Sequence, residues 1–187
     1  MLEFLRPPDP FVHDPDEVRI DAPLGRWNLY VGGAGRRPAG YLNLDILCVP
    51  GVDIVADVEK LPFRDGVFTR VECDAVLEHV NDPSAAVAEI LRVTEAGGFA
   101  HLVTPFCHPF HEYPKDYRRF TPDGLLAIAH GFEPVKWGWR TGPTATMLVF
   151  VLEYVKLLVP TRPLRMVAHG VLGWILFPLR YLDVPLR

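Results

Sequence analysis

Two short apolar runs of this 187-residue chain each end in an aspartate, Tyr41-Leu-Asn-Leu-Asp45 and Gly51-Val-Asp-Ile-Val-Ala-Asp57. If both are buried strands of a parallel sheet, the carboxylates stand at the strands' carboxyl ends. A ligand crevice opens there, and carboxylates in it suit the hydroxyl and amino groups of a nucleoside. An earlier run, Arg26-Trp-Asn-Leu-Tyr-Val31, leads into Gly32-Gly-Ala-Gly35. Glycines after a strand let backbone approach a ligand closely, because they lack a Cβ and tolerate positive φ. For Asp57 a turn-forming or helix-capping role is equally compatible with the spacing.

A second group of reactive residues lies between Phe106 and Phe120, after an expected strand end, where catalytic loops sit. It holds Cys107, His108, His111, Glu112, Asp116, Arg118 and Arg119. His111, and after it His108, are candidate general bases, since imidazole titrates near neutrality. The order His108, His111-Glu112 is not the zinc helix motif, and Pro109 breaks any helix there, so no metal site is expected. A salt-bridged lid joining Asp116 to Arg118 or Arg119 is the simpler expectation.

The elements that must position these groups follow from periodicity. Asp45 lies 13 residues beyond Gly32, against roughly 20 in the dinucleotide fingerprint. The gap, Arg36-Arg-Pro-Ala-Gly40, is too short and too rich in Pro and Gly for a full helix. The first crossover helix is therefore shortened or absent, which counts against an ordinary NAD site. Phe68–Cys73 reads as a central strand, and Asp74–Val80 as a helical turn ending near Asn81. Asp82 is a fitting N-cap for a helix from Pro83 to Ala96, with Gly97-Gly98 as its stop. Phe99–Thr104 is then a strand, giving the crossover of a parallel sheet. Thr121 caps a further helix to Ala129, and Gly131–Trp137 reads as an edge strand.

Hydrophobic residues make up 49% of the chain and charged residues 22%, a globular balance. The net charge of −4 argues against a general nucleic-acid binder. From Ala145 onward the net charge is +3, leaving −7 for the rest. That segment holds two apolar stretches, Ala145–Val159 and Met166–Leu182, both short of the roughly 20 residues that span a membrane. Two readings remain for it: a packed helical pair over the sheet, or a monotopic anchor with Trp174, Phe177 and Tyr181 at the interface. Three cysteines in no close pair suggest a reduced cytosolic protein, and the N-terminus does not read as a signal peptide. The organisation expected is an N-terminal arm (1–25), a sheet domain (26–140) and an apolar helical extension (141–187).

Taken in order, Leu61-Pro-Phe, Val76-Leu-Glu-His-Val80, Glu89-Ile-Leu-Arg-Val93 with Gly97-Gly98, and Asp116-Tyr-Arg-Arg-Phe-Thr121 resemble the class I S-adenosylmethionine-dependent methyltransferases of the type 11 kind. The resemblance covers roughly residues 27–137. It implies an α/β fold with a Rossmann-like, mostly parallel sheet flanked by helices, and S-adenosyl-L-methionine as cofactor. It further implies that Gly32, Gly33 and Gly35 receive the methionine part, Asp45 the ribose, and Asp57 with Val58 the adenine. Asp74 and Ala75 would line the methyl-transfer site. The implied acceptor is a small molecule, a glycan or a lipid-linked compound, handled in the cytoplasm or at the inner membrane face. Four departures from the family pattern stand out. Tyr30 replaces an acidic residue, Ala34 a glycine and Thr69 an aspartate, and the final apolar strand is missing. A catalytically degenerate binding or scaffold protein is the alternative they suggest.

Overall fold

The computed structural model describes residues 24–35 and 38–186, with side chains to Asp183. Of the expected N-terminal arm, only Leu24 and Gly25 fall inside that range. The described residues form two compact units, one from 24–106 with 110–134, the other from 107–109 with 135–186.

The larger unit is built on five strands: β1 (Asn28–Val31), β2 (Leu42–Asp45), β3 (Ile54–Val55), β4 (Phe68–Asp74) and β5 (Thr94–Val103). Their order in the sheet is β3-β2-β1-β4-β5, and every pair is parallel. The chain runs outward from β1 through β2 to β3, then returns across β1 to β4. The topology therefore reverses between β1 and β4, the place where an open parallel sheet forms its ligand crevice. Among the described residues no helix joins β1 to β2, as the Pro/Gly-rich gap predicts.

Helix α1 (Pro83–Val93) starts where the sequence places it: the Asp82 side chain accepts from Ser84 N and Ala85 N, both at 3.0 Å, with Pro83 in the first turn. Ala86, Val87, Ile90 and Val93 bury against Leu29 and Val31 of β1, Leu44 of β2, and Phe68, Val71 and Cys73 of β4 in one core. Each fully buried aliphatic side chain there contributes about 1.5–3 kcal/mol. The other face of α1 holds the segment after β3. Glu89 Oε2 accepts Leu61 N at 2.7 Å, while Arg92 donates to Phe63 O at 2.8 Å and to Leu61 O at 3.1 Å. Arg92 also pairs with Glu89 and Asp65, each at 2.7 Å. The Leu61-Pro-Phe and Glu89…Arg92 motifs are thus two halves of one clamp.

Four expectations are corrected. The helix stops at Val93 rather than Ala96, because Thr94 is already extended (φ −78°, ψ 131°) and begins β5. Gly97 (φ +79°) and Gly98 serve a bulge in that strand, where the register shifts between Phe68 and Arg70. Asp74 ends β4 and residues 75–80 form a turn and not a helix, since Ala75 takes a left-handed φ of 55° directly after the strand. The run Gly51–Asp57 is extended only at Ile54–Val55, and Gly131–Trp137 contains no strand. Pro134 removes a ladder donor from that last run.

Helix α2 (Pro122–Ile128) is capped by Thr121 Oγ1, which accepts Gly124 N at 3.0 Å. In the second unit, α3 (Pro143–Leu158), α4 (Arg162–Leu176) and a 3-10 helix (Phe177–Leu186) pack on one another. Gly142 offers α3 no side-chain cap. Asp183, only 1% exposed, does the work from the far end of the unit, accepting Thr144 N at 2.8 Å and Ala145 N at 2.9 Å. Asp183→Ala is expected to destabilise this unit by about 1–2 kcal/mol, seen as loss of helical circular dichroism at lower temperature. An unchanged melt would remove the cap from the account.

Candidate functional site

The site begins where β1 ends. Gly32 N donates to Leu44 O at 2.8 Å, which carries the chain out of the sheet into the glycine loop. Asp45, the last residue of β2 and only 5% exposed, ties that loop down. Its Oδ2 accepts Ala34 N at 2.8 Å and its Oδ1 accepts Leu47 N at 2.9 Å. Asn43, on the same strand, donates to Ala34 O at 3.0 Å and to Gly51 O at 2.8 Å. Two side chains of β2 therefore set the conformation of the loop after β1.

The loop's glycines differ in what they require. A Cβ on Gly32, whose φ is +76°, would lie 2.1 Å from Val76 Cγ2. One on Gly33 would meet Asn43 Oδ1 at 2.2 Å and Tyr30 Cδ1 at 2.9 Å. One on Gly35 would come no nearer than 3.4 Å to Pro50 O, so that glycine is not forced by space. Ala34 occupies the left-handed region at φ 46°, a conformation that suits glycine. Tyr30, standing where an acid was expected, packs edge-on against Tyr41 with ring centroids 6.1 Å apart.

The Gly32–Val76 contact brings the loop after β1 against the turn after β4. Asp74 ends β4 opposite Val103, and Ala75 N donates to Val103 O at 3.0 Å. Ala56 N donates to Asp45 O at 3.0 Å, linking the residues after β3 to the same crevice. Just beyond, Asp57 acts as a turn former: its Oδ1 accepts Glu59 N at 2.9 Å and its carbonyl accepts Lys60 N at 3.0 Å. Val58 is buried in the core. Gly32, Gly33, Asp45, Asp74 and Ala75 are thereby joined around the topological switch, with Asp57 and Val58 following the strand beside Asp45.

The two histidines proposed as bases part company. His108 belongs to the 107–109 segment of the other unit, and its Nδ1 lies 2.9 Å from Pro109 O. His111 stands over the turn after β4, facing Glu78 and His79. Its ring meets that of His79 edge-on at 4.9 Å, and its Nε2 is 3.8 Å from Glu78 Oε1. His79 Nε2 is 3.7 Å from the same oxygen. Glu78 is fully buried, no other residue hydrogen-bonds to either of its carboxylate oxygens, and burial pushes its carboxyl up to about 7. Asp116 holds the loop in place: it accepts His111 N at 2.8 Å and Arg119 Nη2 at 2.7 Å, and the Arg119 guanidinium keeps its carboxyl well below the usual range. Tyr117 N donates to Glu78 O at 2.9 Å and Arg118 to Asn81 O at 2.9 Å, so this loop is fastened to the 75–81 turn. The salt-bridged segment expected from the sequence is present through Asp116 and Arg119. Glu78 and His79 were missed as site residues, although an acid-imidazole pair just past a strand end is a readable signal.

Residues 42–102 match the family model described as a methyltransferase domain. A demethylmenaquinone methyltransferase of Renibacterium salmoninarum is 40% identical over 83 residues, which is 43% of this chain and 35% of that enzyme. One from Mycolicibacterium vanbaalenii is 35% identical over 77 residues, 41% of this chain and 33% of that enzyme. The chain thus spans about a third of the length of these curated relatives. Among solved structures, the [4+2]-cyclase SpnF aligns with a TM-score of 0.54 and 20% identity, covering 84% of this chain and 68% of the cyclase.

Two substitutions test the loop. Ala34→Gly is expected to raise stability by about 0.5–1 kcal/mol, the left-handed penalty of a Cβ less glycine's added chain entropy. Gly32→Ala is expected to lower stability by more than about 1 kcal/mol, through strain and the collision with Val76. Urea unfolding reads both; shifts of the opposite sign would refute the loop geometry.

Proposed function

Starting from a sheet unit that belongs to the class I S-adenosylmethionine-dependent methyltransferases, we propose that this chain is an enzyme that binds S-adenosyl-L-methionine and methylates a small molecule. The observation that carries this reading is the junction at the topological switch, where Asp45 accepts the Ala34 and Leu47 amides. Each of its two oxygens keeps further accepting capacity for ribose hydroxyls. The glycine loop would receive the methionine moiety, Asp57 and Val58 the adenine, and Asp74 with Ala75 the edge of the methyl-transfer site. The sulfonium is an activated methyl donor, so in-line placement of the acceptor supplies much of the acceleration. Where the acceptor must first lose a proton, the cluster around His111 stands at the right end of the sheet. His108, held in the other unit, takes second place.

The acceptor we favour is a small, glycan-type or lipid-linked compound. The similar demethylmenaquinone methyltransferases support a small-molecule acceptor in particular. A likeness to a cyclase on the same fold is a reminder that fold alone does not choose a reaction. The alternative of a degenerate binding protein rests on Ala34, held in a conformation that suits glycine.

Calorimetric titration with S-adenosylmethionine and S-adenosylhomocysteine separates these readings. Saturable binding of both, lost in a folded Asp45→Ala variant, is the expected result. No heat from a folded parent protein would leave the degenerate reading standing and end the enzyme one.

The helical unit carries a second function in this proposal, contact with a membrane surface. No helix among the described residues is long and apolar enough to cross a membrane. Yet α3 and α4 expose Met147, Leu157, Val167, Trp174 and Ile175, and Arg180 stacks 3.8 Å over the Phe177 ring. Co-sedimentation with anionic vesicles is expected for the parent chain and strongly reduced in Trp174→Glu/Ile175→Glu. Equal sedimentation of both, or none of either, would count against it.

A further inference from the structure

Glu78, His79 and His111 present one carboxylate oxygen and two imidazole nitrogens that all lie within 4.8 Å of one another. Glu78 is the unusual member. Its side chain is wholly buried, yet no other residue hydrogen-bonds to either oxygen. A buried carboxylate without donors is costly unless something positive is brought to it.

In their neutral forms the two imidazoles can turn lone pairs toward a cation beside Glu78. His79 Nδ1 is hydrogen-bonded to Lys115 O. A carbonyl only accepts, so Nδ1 carries the proton, and in the neutral ring Nε2 turns a lone pair toward Glu78 Oε1 at 3.7 Å. At His111, Nε2 lies 3.8 Å from Glu78 Oε1, and Nδ1 lies 3.6 Å from Asp116 Oδ2, a charge contact longer than a hydrogen bond. A backbone carbonyl behind one ring and a carboxylate behind the other are the partners that orient metal-ligating histidines and raise their basicity. Asp116 is itself fixed by Arg119, with its carboxylate almost fully buried.

We propose that Glu78, His79 and His111 form a binding site for a first-row divalent cation of the zinc type, held through Glu78 Oε and the two Nε2 atoms. Two imidazoles and one carboxylate suit such an ion and leave a coordination position open. The turn after β4 supplies Glu78 and His79, and the loop fastened over it brings His111 to them from more than thirty residues further along the chain. The site goes beyond the cofactor reading and does not depend on it, since none of its ligands is among the residues assigned to the cofactor. With a cation in place His111 acts as a ligand and not as a free base, and an acceptor oxygen could take the open position.

The test uses the full-length, untagged protein, stripped with a chelator and titrated with Co2+ and then Zn2+, without S-adenosylmethionine. The expected result is a visible absorption band that saturates at one equivalent of Co2+ and is displaced by Zn2+. The band should be lost in His79→Gln/His111→Gln and kept in His130→Gln, a histidine outside the cluster. Asp116→Asn, behind His111, should weaken binding by about 10–100-fold. Absence of a saturable band from the folded parent overturns the proposal, whatever the variants do. A band that survives undiminished in the folded double variant overturns it too. Because cofactor titration is read separately by calorimetry, failure of one site does not mimic failure of the other.

Discussion

One buried carboxylate sets the geometry of the sheet's upper rim. Asp45 is 5% exposed and takes a backbone amide on each oxygen, one from the loop after β1 and one from its own succeeding turn. Charge-assisted bonds of this kind are stronger than neutral ones. Asn43 and the Gly32 amide add to their hold on the Gly32–Gly35 loop. Held by them, the loop closes against Val76, and the strand ends on both sides of the topological reversal meet at one rim of the sheet. The binding of a nucleoside-type ligand would therefore reuse a carboxylate that already organises the protein.

A second constraint works from the opposite side. Glu89 and Arg92 on α1 grip the backbone of Leu61 and Phe63, and Glu59 Oε1 accepts the amides of Asn81 and Asp82 at 2.8 and 3.0 Å. The short β3 has little ladder of its own, so these side chains hold the segment that follows it beside Asp45. That explains why the Leu-Pro-Phe and Glu-x-x-Arg stretches belong together in the sequence.

β1, β2 and β4 were legible close to their bounds, whereas β3 is shorter and β5 begins earlier than expected; the missing first crossover helix was legible because Pro and Gly fill the gap. The start of α1 was legible in Asp82-Pro83. Its end was not, since Gly97-Gly98 looks like a helix stop but accommodates a strand bulge opposite Phe68 and Arg70. Nor was the turn at 75–80, whose apolar spacing imitates a helix while Ala75 adopts a left-handed φ that spacing cannot reveal. Of the Glu78-His79-His111 cluster only the adjacent Glu78-His79 pair was readable: His111 lies 32 residues further on and joins it only where Asp116, Tyr117 and Arg118 fasten one loop on another. Asp183 capping α3 from 38 residues away is the same kind of long-range polar contact.

The central claim is that the rim organised by Asp45 is a cofactor crevice. Hydrogen–deuterium exchange with and without S-adenosylhomocysteine tests it directly. The account predicts slowed exchange in peptides covering 32–35, 45–47, 56–58 and 74–76, and little change in α3 and α4. Slowed exchange confined to other segments, or none at a saturating ligand concentration, would contradict it.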